Sequence, residues 1–83
     1  MMRSLSLLTS LSPASSPTGV TAAIEASGYP VHLHHDPGRG WSATVNGDRE
    51  DGESLHLPSM ASAVLVAARD LRDKTCPLKA VGS

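Results

Sequence analysis

Phenylalanine is absent from this sequence, and Trp41 and Tyr29 are its only aromatic residues. So few rings argue against a surface that holds single-stranded nucleic acid by serial base stacking. Trp41 is instead expected in the core. Cysteine is nearly absent too. Cys76 stands alone, so no internal disulfide can form. It precedes Pro77, has no adjacent basic or histidine residue, and reads as a free thiol of a reducing compartment. An excess of one charge is also missing, with seven basic and eight acidic residues and a net charge of −1. A protein that grips a phosphate backbone needs a clear basic surplus. No stretch approaches the ~20 apolar residues of a membrane span. Leu5, Leu7, Leu8 and Leu11 are too interrupted by Ser and Thr to make the roughly 7–15-residue apolar run of a secretory signal. A cytoplasmic chain with no membrane contact is expected.

With 83 residues there is room for one domain. Residues 1–17, rich in Ser, Leu and Pro, read as a flexible N-terminal arm, with docking of its leucines onto the fold or a partner as the alternative. Residues 18–75 read as a single domain and residues 76–83 as a C-terminal tail. A core of that size supports one sheet layer against one helix layer, not a deep cleft between lobes.

Within the domain, Thr18 is the expected cap of a short helix carrying Val20, Ala23 and Ile24, with Gly28 ending it in a left-handed conformation. From Val31 the period changes to two. Val31, Leu33 and His35 point one way, and His32, His34 and Asp36 the other. Asp36-Pro37-Gly38-Arg39-Gly40 is turn chemistry, and Trp41, Ala43 and Val45 continue the alternation, so the two runs predict a β-hairpin. Asn46-Gly47 and an acidic loop lead to a third strand bearing Leu55 and Leu57. Pro58 ends it, and Ser59 caps a long helix over residues 60–74 whose inner stripe is Met60, Ala63, Val64, Ala67 and Leu71. The fold class is α+β: a three-stranded antiparallel sheet packed on a C-terminal helix, in the order α-β-β-β-α. The expected register sets Val31 against Val45, Leu33 against Ala43 and His35 against Trp41. Across the second turn it sets Val45 against Leu55 and Ala43 against Leu57.

That register places His32, Thr44 and His56 in one row on the uncovered face, with His34 and Ser42 in the next. These residues form a candidate binding surface. Zinc prefers more ligands than this row supplies, often including cysteine, so no metal and no cofactor is assigned. A hydrolytic site at His34, Asp36 and Ser42 would lack an oxyanion hole on an open sheet, so no catalytic residue is assigned. Arg39 at the hairpin tip is a candidate contact. Leu65 and Val66 widen the apolar face of the long helix, either to pack on the first helix or to form a partner or dimer patch.

The run from Val31 to Asp73 resembles the HicB-like antitoxin domain. The likeness rests on Val31-His32-Leu33, Gly38-Arg39-Gly40-Trp41, Ser42-Ala43-Thr44-Val45, Gly52, and the helix from Ser59 to Asp73. It implies a domain that binds and masks a small protein toxin. The helix–three strands–helix order, Tyr29 before the first strand and the alanine-rich helix from Ala61 to Leu71 are also similar to the double-stranded-RNA-binding domain. Where that family places lysines, at the start of its last helix, this chain has Ser59, Met60, Ala61 and Ser62. The expectation is a small non-enzymatic regulatory or protein-interaction module with a protein partner or as a homodimer. The alternatives are a nucleic-acid-binding protein of double-stranded-RNA-binding-like fold, or a small histidine-dependent metal-binding protein.

Overall fold

A computed structural model describes residues 4–75. The tail expected at 76–83, with Cys76, lies outside the described residues. Six elements follow one another: α1 (Ser6–Thr9), α2 (Pro17–Ser27), β1 (Val31–Asp36), β2 (Gly40–Asn46), β3 (Asp51–Leu57) and α3 (Met60–Thr75). From α2 onward this is the expected α+β order, with α3 laid across the sheet, chiefly over β2 and β3.

The helix ends follow local chemistry. The cap of α2 is Ser16 rather than Thr18. Its hydroxyl accepts from the Gly19 N–H at 3.2 Å, and Pro17 takes the first helical position, where a missing N–H costs nothing. Gly28 closes the helix at φ 78°. Ser59 caps α3 as expected, accepting from the Ser62 N–H at 3.1 Å. In the stretch read as an arm, α1 carries Leu8, which is fully buried against the core with Val20, Val64 and Leu71.

The β1–β2 hairpin has the expected register, Val31 to Val45, Leu33 to Ala43 and His35 to Trp41. Its turn is closed by the Arg39 N–H donating to the Asp36 carbonyl at 2.9 Å, with Gly38 at φ 82° after Pro37, as a type II turn requires.

The β2–β3 register differs from expectation. Ala43 lies opposite Ser54 and Val45 opposite Gly52, while Trp41 lies opposite Leu57. Leu55 and His56 therefore share the span facing Ser42, a β-bulge, and His56 sits at φ 57°. Leu55 is turned out and 70% exposed. The inner positions belong to Gly52 and Ser54. Ser54 is tolerated there because its hydroxyl is satisfied twice, accepting from the Ala43 N–H at 3.2 Å and donating to the Ala63 carbonyl of α3 at 2.7 Å. Gly52 lets the helix approach. A Cβ there would overlap the Ala67 carbonyl oxygen and lie 2.6 Å from Leu71 Cβ. Ala63 and Ala67, both buried and beside Ser54 and Gly52, keep the helix side of the β3 contact thin.

Candidate interaction edge and histidine face

Both outer strands of the sheet, β1 and β3, have an edge, and the two edges are treated differently. The Asn46 N–H donates to the Pro30 carbonyl at 2.9 Å, just beyond the Val31–Val45 pair. Bonded and non-bonded pairs alternate along an antiparallel ladder. His32 and His34 therefore bond to β2, while Val31, Leu33 and His35 direct their N–H and C=O groups away from it. Among the described residues neither α1 nor α2 makes an extensive contact with β1, and β1 has no bulge and no lysine to protect its edge.

By the same alternation Ala43 and Val45 turn toward β3, leaving Asp51 and Glu53 with outward backbone groups. Here α3 reaches over. The Asp70 carboxylate accepts from the Glu53 N–H at 3.0 Å, the Lys74 ammonium donates to the Asp51 carbonyl at 2.8 Å, and the two side chains pair at 3.0 Å. The Glu53 N–H, followed by Lys74, holds the Asp70 carboxyl below its ordinary value of 3.8. The Asp70 carboxylate in turn raises Lys74 above 10.5.

A depressed carboxyl stabilises the fold above its unfolded pKa and loses that contribution as pH falls through the folded value. Asp70→Asn should therefore lower stability at pH 7 by less than about 1 kcal/mol, since the pair is partly solvated. Urea unfolding at pH 7 and pH 2.5 should show the variant losing less on acidification than the unaltered protein.

The candidate residues divide. His32, Thr44 and Glu53 form one row of the open face, so Glu53 occupies the place expected for His56. His34 lies opposite Ser42, and the bulge carries His56 to this second row, where its N–H donates to Ser42 Oγ at 3.4 Å. His32, His34 and His56 are exposed. Among the described residues, no three histidine, cysteine or carboxylate side chains of one chain come together as a metal site. Arg39 stands at the hairpin tip, exposed, 3.7 Å from Asp36. Leu65 is buried, which removes it from any docking patch, and Val66 is exposed. At the other end of the sheet an open cleft of about 620 Å³ is lined by Tyr29, Arg49, Glu50 and Lys74 among others. Its charges are of both signs, and no motif marked it in the sequence.

Sequence reasoning did not find the clasp at Asp70 and Lys74. Their i,i+4 spacing was visible, but it reads as an ordinary surface pair of a helix. Among the described residues no helix is long and apolar enough to cross a membrane. Among the described residues, the geometry defines an α+β sheet-and-helix module in which helix side chains bond to the outer edge of β3 and not to that of β1. Compared with known protein families, curated proteins and solved structures, the chain matches none of them.

Proposed function

We propose that this chain is a non-enzymatic, regulatory protein-interaction module, cytoplasmic, which takes up an extended strand of a protein partner along β1. The observation that carries this reading is the contrast between the edges among the described residues, β3 clasped by Asp70 and Lys74 and β1 bare at Val31, Leu33 and His35. An exposed edge offers main-chain hydrogen bonds for affinity and alternate side chains for selectivity. The resemblance to antitoxin domains supports a protein as the partner, and the near-neutral charge agrees with it.

Proline tests the edge without breaking the hairpin. The N–H groups of Leu33 and His35 turn away from β2, so their loss leaves the internal ladder intact. Protein recovered with the unaltered chain should fall at least about tenfold with His35→Pro and with Leu33→Pro, each first shown to unfold cooperatively. Full recovery with both variants would overturn the reading. So would salt-dependent binding to duplex RNA that Arg39→Ala removes.

A further inference from the structure

We infer that two copies of this chain pair antiparallel along β1 and share one zinc-type divalent cation between His32 and His34 of each copy. This deepens the strand-addition reading and rests on it. Backbone geometry selects the register. Along β1, the residues with N–H and C=O groups turned away from β2 are Val31, Leu33 and His35. A two-fold axis at Leu33 pairs Leu33 with its own copy and Val31 with His35 of the other, so all three residues of both strands are engaged. Moving the axis to His32 or His34 leaves one of the three facing Tyr29 or Pro37 instead, outside the strand.

A second copy suits the edge on two further counts. The segment from Val31 to His35 carries no carboxylate, lysine or arginine, and Asp36 beyond it is already beside Arg39, so two neutral edges meet without like-charge repulsion. On the helix side Val31 and Leu33 are only half-buried, because α3 lies mainly over the other two strands. Pairing at Leu33 sets these apolar side chains against the other copy. An interface of this kind is isologous and closes as a dimer.

The same axis sets His32 opposite His34 of the other copy, twice, in the non-bonded positions where side chains stand closest. Residues on facing strands lie about 4.8 Å apart and alternate residues of one strand about 6.7 Å apart. Four imidazoles then share one small patch, all exposed to solvent on the open face. Imidazole nitrogen binds zinc at about 2.0–2.1 Å, and four ligands complete a tetrahedral site. One chain supplies two of them, too few for such a site. The pair supplies the full set, which joins metal binding to self-association.

The experiment is sedimentation of the full chain at pH 7.5, with a chelator and with added zinc, together with calorimetric zinc titration. A dimer is expected, strengthened at least about tenfold by zinc, with half an equivalent of zinc bound per chain. His32→Ala and His34→Ala should each remove the zinc effect while retaining the fold. His35→Pro should give a monomer. A chain that remains monomeric with zinc, or that binds one zinc per monomer, overturns the inference. If it remains monomeric but still loses a captured protein with His35→Pro, the strand-addition reading stands and the self-pairing falls alone.

Discussion

Gly52→Ala should leave the protein without a cooperative unfolding transition, although it adds a single methyl group. The inserted Cβ would meet the Ala67 carbonyl oxygen, Leu71 Cβ at 2.6 Å and the Leu71 backbone nitrogen at 2.7 Å. Two of these obstacles are backbone atoms of α3, and backbone cannot rotate aside. Overpacking among mobile side chains costs about 1–3 kcal/mol. Here the helix must lift from the sheet, which also separates Ser54 from the Ala63 carbonyl and loosens the Asp70 contact to β3. A domain of this size holds only a few kcal/mol in total. Thermal melts followed by near-ultraviolet circular dichroism at Trp41 should show a broad, non-cooperative loss. Pairing Gly52→Ala with Leu71→Ala should fail to restore the transition, because it removes none of the backbone obstacles. A double variant that melts as sharply as the unaltered protein would show that the helix does not sit this close.

Leu8→Ala should destabilise the protein by about 2–5 kcal/mol, the range for a buried leucine reduced to alanine. Leu8 is fully buried, whereas its neighbour Leu7 is 41% exposed. Leu7→Ala is therefore the control and should change stability by about 0.5 kcal/mol or less. The comparison isolates the contribution of the segment ahead of α2. That segment is further tied down by the Ser4 N–H donating to the Ser27 carbonyl at 2.9 Å and by Ser59 Oγ donating to the Pro13 carbonyl at 3.1 Å. Equal urea midpoints for the two variants would place Leu8 outside the core.

The hairpin was legible because its inner residues are apolar and its turn carries proline and glycine where φ demands them. Val31, Leu33, Trp41, Ala43 and Val45 could be aligned in only one way that kept them on one side. The third strand was not legible by that rule. Two of its inner positions hold a glycine and a serine, and of its two leucines only Leu57 packs on the core while Leu55 faces out across a bulge. Strict alternation therefore chose the wrong register and with it the wrong row for His56. What decided the outcome was the distance between strand and helix, to which a pattern of hydrophobic residues is blind. Leu8 could not be singled out among the arm's leucines for a related reason. Its helix is four residues long and lies among serines and prolines, so it has no period to detect. The clasp at Asp70 and Lys74 joins residues 17 and 23 positions apart, beyond the reach of local patterning. His32, His34 and Thr44 were placed on the open face by the hairpin alone, and they stayed there.

The salt-bridged end of α3 also determines how far such a sheet can extend. Head-to-tail addition of β1 to the β3 of a neighbour would have to displace Asp70 and Lys74 from Glu53 and Asp51. Under the proposed pairing at β1, a molecule whose other edge is engaged in this way would close in pairs, and the open-ended stacking that unguarded strands ordinarily permit would be opposed by two side chains on a helix.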